Sequence, residues 1–302
     1  MLRLLLTLLA STASVSLAKE SPAAKDAPST DANAHAKTSL WTLSDEDSTV
    51  YLAGSVHLLR QQDMPLPEGF DVAYQDSDEL VFEIDMNILS NPATALKLRE
   101  LGSLPEGETL DQHFQPETMA ALRAYLAKGN LPGSLLDVFT PGMVYLTLGS
   151  MEATRQGARP ELGVETQFYV RATQDGKPVS GLETPEFQMS RFNEFDLATI
   201  ESLVLKTLEE AGDPCDTLDQ LIRAWKAGDT EVMQTLVVDE MAEEPELARV
   251  LLDERNANWI APIEKAFAGD KNVMFIVGAA HLVGENSVID LLRKKGYEVT
   301  QR

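Results

Sequence analysis

The sequence VYLAGSVHLL at residues 50–59 has a close counterpart in MFIVGAAHLV at residues 274–283. Each copy contains four apolar residues, then Gly-x-x-His, then two more apolar residues. A short apolar run that stops at a glycine is typical of a buried strand in a sheet covered on both faces. The small residues Ser55, Ala279 and Ala280 allow a tight turn off the end of each strand. We therefore predict two buried strands, each followed directly by a histidine.

These two histidines, His57 and His281, are predicted to lie at one edge of the same sheet. Ligands of open α/β sheets bind beyond the carboxyl ends of the strands, and neighbouring parallel strands would bring both imidazoles there. The alternative is that the two histidines lie in unrelated loops. The matching sequence pattern around them argues against this. The other two histidines, His35 and His113, lack this context.

Composition and charge exclude several classes of function. The chain has 302 residues, a formal net charge of −23 and a single cysteine, Cys215. Such acidity argues against binding to nucleic acid or to an anionic membrane surface. One cysteine cannot form an intramolecular disulfide, so the stability must come from a hydrophobic core. Acidic neighbours disfavour a Cys215 thiolate and hence a nucleophilic role.

The N-terminal region predicts export. Residues 1–18 have a positively charged start, an apolar core at Leu4–Ala10 and a small-x-small cleavage site at residues 16–18, as in a signal peptide. Residues 19–38 are rich in Ala, Ser, Asp and Pro and predict a flexible linker. The remainder, 39–302, is predicted to form one domain. We expect a periplasmic or secreted protein with no stable membrane insertion after cleavage; a retained N-terminal anchor is the alternative.

The order of predicted elements indicates the fold class. Strands alternate with helices at both ends of the domain, and a long helical block lies between them. This pattern predicts an α/β fold: a mixed central sheet with flanking helices and a large helical insertion between the two Gly-x-x-His halves. We expect strands at Trp41–Leu43, Thr49–Ala53, Asp78–Asp85, Val179–Leu182, Lys271–Val277 and Tyr297–Val299, and helices that include Pro116–Lys128 and Val144–Arg155.

Glu83 is the carboxylate that the sequence places most clearly in a core. It lies in the apolar run VFEI at residues 81–84. Burying a carboxylate without a partner is costly, so Glu83 needs a cation, a hydrogen-bond donor or a metal. An arginine partner is one possibility. The other is a shared site with His57 and His281, because two histidines and one carboxylate form a typical ligand set for Zn²⁺ and also suit Mn²⁺ or Co²⁺.

Glu165 and Arg255 are the candidate catalytic residues. Glu165 opens a predicted helix, where the helix dipole favours an acid even without a function. We expect it to exchange a proton more freely than the buried Glu83. Glu183 follows a predicted strand and is a further candidate carboxylate. Arg255 either belongs to a solvated helix face with Trp259 buried, or it pairs with a carboxylate of the site or holds an anionic group of the substrate.

Six motifs, in this order, resemble the TraB/GumN family, which includes the TIKI proteins. They are YLAGSVH at 51–57, VFEID at 81–85, LGVE at 162–165, GLETPEFQ at 181–188, ERNANW at 254–259 and GAAHLVG at 278–284. The resemblance implies an erythromycin-esterase-like α/β core and, for TIKI, metal-dependent protease activity. The paired motifs and the strand glutamate of the family correspond to His57, His281 and Glu83. Family membership does not identify a substrate.

The leading hypothesis is an exported metal-dependent hydrolase, with a peptidase favoured and a peptide or protein as its substrate. His57, Glu83 and His281 would hold a divalent metal (Mn, Co or Zn), and Glu165 would be the general base. One alternative is a metal-free esterase-like hydrolase in which His57 deprotonates water and Glu83 orients it. Another is a non-catalytic protein that sequesters a peptide. The sequence has no Gly-x-Ser-x-Gly, Walker, dinucleotide-binding or His-Glu-x-x-His motif.

Overall fold

The computed structural model describes residues 37–89, 91–211, 216–239, 241 and 244–302. The predicted signal peptide, most of the predicted linker with His35, and Cys215 lie outside the described residues. Among the described residues, no helix combines the length and the apolar character needed to cross a membrane.

A mixed six-stranded sheet forms the centre of the domain, with strand order β4-β3-β5-β2-β1-β6. The strands β4, β3, β5 and β2 are parallel, whereas β1 runs antiparallel to both β2 and β6. The four parallel strands therefore end at the same edge. The strands are β1 (Leu40–Ser44), β2 (Thr49–Ser55), β3 (Glu79–Ile84), β4 (Val179–Glu183), β5 (Val273–Gly278) and β6 (Thr300–Gln301).

The two strands of the repeated motif, β2 and β5, are direct neighbours in this sheet. They pair in parallel, with Ala53 opposite Ile276 and Ser55 opposite Gly278. Every residue of β5 is buried, as expected for an apolar strand in the middle of a covered sheet. The predicted α/β fold with a mixed central sheet is confirmed, and the two strands predicted first form an antiparallel hairpin, β1 and β2.

The helices flank the sheet, and six of them, α7 to α12, form the predicted helical block between β4 and β5. Two five-residue π-helical segments, Gln234–Val238 and Arg249–Asp253, extend α10 and join α11 to α12. The helices are α1 (Glu68–Asp76), α2 (Met86–Leu89), α3 (Pro92–Gly102), α4 (Pro116–Lys128), α5 (Pro141–Arg155), α6 (Val164–Asp175), α7 (Pro185–Arg191), α8 (Leu197–Glu210), α9 (Asp216–Ala227), α10 (Thr230–Met233), α11 (Pro245–Ala248), α12 (Glu254–Phe267) and α13 (Val288–Lys294).

Helix boundaries agree with the sequence where proline or glycine marks them. Helix α4 has the predicted bounds, with Pro116 in its first turn. Helix α5 begins three residues earlier than predicted, because Thr140 caps it by accepting a hydrogen bond from the Met143 N–H.

The predicted closing strand at residues 297–299 is wrong. Gly296, with φ of +96°, ends the last helix, and the Tyr297 N–H still donates to the Leu292 carbonyl. These residues therefore belong to the turn that terminates α13. The strand starts only at Thr300.

Gly163, at the start of α6, lies directly against the backbone that carries His57. A Cβ at this position would lie 2.8 Å from the His57 carbonyl carbon and even closer to the carbonyl oxygen. The Val164 N–H donates to the Val56 carbonyl at 3.2 Å, which fixes the two segments together. The close approach therefore requires a glycine.

We expect Gly163→Ala to destabilise the protein by about 1–3 kcal/mol, because the added methyl group must displace backbone rather than a flexible side chain. The matched control is Gly133→Ala, whose Cβ would meet only the Arg123 side chain, at 3.5 Å. Urea denaturation of both variants measures the difference. Equal unfolding midpoints for the two variants would contradict the close approach at Gly163.

Candidate functional site

The polar residues predicted from the sequence lie together at the carboxyl edge of the parallel strands. Glu83 and Glu183 come from the ends of β3 and β4, and the two histidines follow β2 and β5. The others come from the first turns of α6 and α12. All five predicted site residues are almost fully buried, with exposed fractions of 4% for His57, 3% for Glu83, 6% for Glu165, 2% for Arg255 and 0% for His281.

The guanidinium group of Arg255 lies at the centre of one half of the site. It forms a bidentate pair with Glu183, with Nε to Oε1 at 2.9 Å and Nη2 to Oε2 at 2.9 Å. Nη2 also donates to Glu83 Oε2 at 2.7 Å, and Nη1 donates to the Leu251 carbonyl at 3.1 Å. Two buried carboxylates therefore share one buried cation, and their negative charges raise the pKa of Arg255 even though burial opposes this.

Glu83 has a donor on each of its oxygens. Its Oε1 accepts the Gly278 N–H at 2.6 Å, and its Oε2 accepts the Gln188 side-chain amide at 2.8 Å as well as Arg255. Glu83 thus has the partners that its burial requires, and among them is an arginine, one of the two alternatives that the sequence left open. This arrangement ties the end of β3 to β5 and to α7.

His281 is held as a neutral imidazole. The Asn256 amide donates to the Asn286 carbonyl at 3.0 Å, so its oxygen faces His281 Nδ1 at 2.7 Å and assigns the ring proton to Nδ1. His281 Nε2 then accepts a hydrogen bond from Arg255 Nη1 at 3.2 Å. Burial, followed by the positive charge of Arg255, lowers the pKa of His281 well below its usual value.

His57 forms a separate buried pair with Glu165. His57 Nδ1 lies 2.7 Å from Glu165 Oε1, and the Ser55 hydroxyl donates to the same oxygen. Burial alone would lower the pKa of His57 and raise that of Glu165. The attraction between the two charges outweighs it, so the pKa of His57 is raised and that of Glu165 is lowered. Our expectation that Glu165 exchanges a proton more freely than Glu83 is therefore wrong, because the start of α6 packs against the segment that carries His57.

The two outer atoms of this pair, His57 Nε2 and Glu165 Oε2, are buried and have no hydrogen-bond partner among the described groups. Unpaired buried polar atoms are rare in folded proteins and often indicate a functional site. Since Glu165 accepts the Nδ1 proton, a neutral His57 has its lone pair on Nε2. The pair is therefore arranged as a base with its orienting carboxylate.

The predicted metal ligands His57, Glu83 and His281 reach the same sheet edge but do not fit a shared metal ion as they are arranged here. The guanidinium of Arg255 bonds to both Glu83 and His281, so the atoms that would face a metal already have a partner. Within the part of the chain that the structure describes, no three His, Cys, Asp or Glu side chains are positioned to hold a metal. Of the three predicted ligands, only His57 has an unpaired ring nitrogen.

A cavity of about 890 Å³ adjoins the site. His57 and Gln188 form part of its wall, and most of the other lining residues are apolar. The volume is within the usual range of small-molecule binding pockets.

Sequence reasoning did not identify three residues that complete the site: Ser55, Gln188 and Asn256. Each lies within a motif that resembles the family, and each is buried although polar. The sequence marks Ser55 only as a small turn residue. Gln188 and Asn256 carry a usable signal, because each is a polar residue in the same motif as a candidate residue, Glu183 and Arg255 respectively.

Removing Arg255 should be far more damaging than removing an exposed arginine nearby. We expect Arg255→Met to destabilise the protein by about 3–5 kcal/mol, because it leaves Glu83 and Glu183 buried without a cation. Arg249→Met is the control, since Arg249 is 48% exposed in its ion pairs, and exposed pairs contribute about 1 kcal/mol or less. Chemical denaturation measures both. Equal, small losses in the free energy of unfolding of the two variants would show that the buried carboxylates do not depend on Arg255.

Comparison with known proteins supports the relationship that the motifs suggest. YbaP of Escherichia coli (strain K12), an uncharacterized protein, is 24% identical over 243 residues, which is 80% of this chain and 87% of YbaP. Metalloprotease TIKI1 of Danio rerio is 24% identical over 315 residues, and TIKI1 of Homo sapiens is 24% identical over 314 residues. Each TIKI1 match covers 86% of this chain but only 62% and 61% of the respective TIKI1 protein.

No solved structure matches the chain at a significant level. The model of the TraB/PrgY/gumN family matches residues 39–301, which is nearly all of the described part of the chain. That match includes every residue of the site described above. The chain therefore belongs to the TraB/PrgY/gumN family.

Proposed function

We propose that this protein is a hydrolase that cleaves an amide or ester bond, with His57 as the general base and Glu165 as the residue that orients it. The observation that carries the proposal is the buried pair of His57 Nδ1 and Glu165 Oε1 at 2.7 Å, with His57 Nε2 unpaired and His57 at the wall of a large cavity. The curated TIKI relatives, named metalloproteases, support hydrolysis as the reaction class.

In the proposed reaction, Nε2 of neutral His57 takes a proton from a water molecule. The water oxygen bonds to the carbonyl carbon of the substrate, and the amine or alcohol leaves with the proton that Nε2 returns. Glu165 keeps the Nδ1 proton in place and stabilises the imidazolium that forms. The metal-free alternative predicted from the sequence assigns the orienting role to Glu83. In the present proposal Glu165 has that role.

Arg255 is proposed as a positioning residue. Its donors are already bonded to Glu83, Glu183, Leu251 and His281, so the guanidinium has no free N–H for a substrate. Through these bonds it fixes the ends of β3 and β4 relative to α12. Its effect on turnover would therefore be exerted through the geometry of the sheet edge.

A peptide or protein substrate and a divalent metal are suggested by the TIKI names alone, and the matched region covers only about 60% of those proteins. For a metal-dependent reaction using Mn²⁺, Co²⁺ or Zn²⁺, Arg255 would have to release Glu83 and His281. The third possibility is a protein that binds a peptide without cleaving it. Turnover and its metal dependence distinguish these three functions.

Substitutions of two matched His–Glu pairs test the proposal. His57→Gln and Glu165→Gln should each lower turnover of a panel of peptides and esters by a factor of about 10²–10⁴, the usual contribution of a positioned base. His113→Gln and Glu108→Gln remove the partly exposed pair joined at 2.9 Å and should leave turnover unchanged. Equal effects in the two pairs would exclude His57 as the base.

The same assay, with EDTA and with added Mn²⁺, Co²⁺ or Zn²⁺, addresses the metal. Turnover that is unaffected by EDTA supports the metal-free reaction. Loss with EDTA and recovery with one metal would favour the metal-dependent alternative. Absence of turnover under every condition, with retained peptide binding, would favour the sequestering protein.

We further propose export to the periplasm or the medium, on the basis of the signal-like sequence at residues 1–18. Expression of the full chain in a bacterial host, followed by N-terminal sequencing, should give a mature protein that starts at Lys19. Recovery of a chain that begins at Met1 from the membrane fraction would indicate a retained anchor instead.

A further inference from the structure

Helix α5 forms a large part of the wall of the cavity beside His57. Eight of its residues line the cavity, six of them uncharged, and between the first and the last of these six the helix rises about 17 Å. A ligand of that length could therefore lie along this wall. The six are Met143, Leu146, Thr147, Ser150, Met151 and Thr154.

Several polar groups of the cavity wall are bonded within the wall. Glu152 accepts the Tyr125 hydroxyl at 2.7 Å and pairs with Arg155 at 2.8 Å, and the Thr147 hydroxyl donates to the Met143 carbonyl at 2.7 Å. Lys128, Ser150 and Thr154 add further polar groups. Most of the other lining residues are apolar, and they include Ile84, Leu131, Phe139, Met189 and Phe192. The cavity is thus mostly apolar, with a small number of polar groups.

This wall suits a hydrocarbon chain better than a peptide backbone. A buried backbone needs a partner for each N–H and C=O group, and an unpaired group is costly. The helices around the cavity use most of their own backbone groups internally, so they provide few such partners. A hydrocarbon chain has no such requirement and gains from leaving water.

We propose that the substrate carries an aliphatic acyl chain of about 8–12 carbons, which fills the cavity along α5. A chain of twelve carbons, with C–C bonds of about 1.5 Å, extends about 15 Å and matches the length of this wall. The inference rests on the proposed function, because the reacting carbonyl at the head of the chain would meet His57. Hydrolysis breaks the acyl–nitrogen or acyl–oxygen bond, joins the water oxygen to the acyl carbon, and releases a fatty acid and a protonated amine or an alcohol.

Binding of fatty acids tests the cavity without any need for turnover. Calorimetric titration with hexanoate and dodecanoate should show at least a hundredfold tighter binding of dodecanoate, since each buried methylene contributes about threefold to fourfold. Ser150→Phe places a ring in the cavity and should weaken dodecanoate binding by at least about tenfold. The control, Ala120→Phe, adds the same ring to an exposed position of α4 outside the cavity and should leave binding unchanged.

Equal affinities for the two acids, or equal binding by Ser150→Phe and the wild type, would overturn the acyl-chain assignment. Hydrolysis is then measured separately, on N-acyl amino acids and on p-nitrophenyl esters of two to twelve carbons. A rise of kcat/KM with chain length, lost in Ser150→Phe, supports the inference. If hydrolysis does not depend on chain length and dodecanoate does not bind, the acyl-chain inference is overturned but the proposed hydrolase is not. If dodecanoate binds but no substrate is hydrolysed, the cavity assignment stands and the proposed hydrolase is overturned.

Discussion

The guanidinium group of Arg255 joins three parts of the fold that are distant in the chain. It comes from α12 and bonds to Glu83 of β3, Glu183 of β4 and His281 after β5. Moving such charges out of water costs several kcal/mol per ion, and only a complete set of hydrogen bonds offsets that cost. The five N–H groups of the guanidinium all face acceptors. The helical block and the sheet therefore adopt one relative position, which fixes the floor of the candidate site.

Two motifs of the same pattern contain histidines with opposite pKa shifts. Burial and the Arg255 cation lower the pKa of His281, whereas the Glu165 carboxylate raises the pKa of His57 against the effect of burial. Both follow an apolar strand and Gly-x-x, and both are buried. The difference comes from the neighbouring helices, because α12 delivers a cation to one and α6 an anion to the other. The repeated motif thus determines where each histidine lies, and the charged residue next to each histidine determines the direction of its pKa shift.

The sequence predicts the sheet edge well because the apolar run of each strand and the glycine that ends it are local features of the sequence. It also predicts that Glu83 needs a partner, since the cost of a buried carboxylate does not depend on the rest of the fold. The pairing of His57 with Glu165 is different. It depends on the packing of α6 against the segment after β2, which requires Gly163, and no local pattern encodes that contact. The choice among Glu83, Glu165 and Glu183 as the partner of His57 therefore required the structure.

The place of β5 in the sheet has a consequence for how the chain folds. This strand lies between β2 and β3, yet about 190 residues separate it from β3 along the chain. Until residues 273–278 are available, β2 and β3 have no shared neighbour and both present an unpaired edge. Contacts so distant in sequence close slowly, and open edges attract other chains meanwhile. A growing chain therefore cannot assemble the candidate site early, because β5 and His281 are the last of its parts to be synthesised.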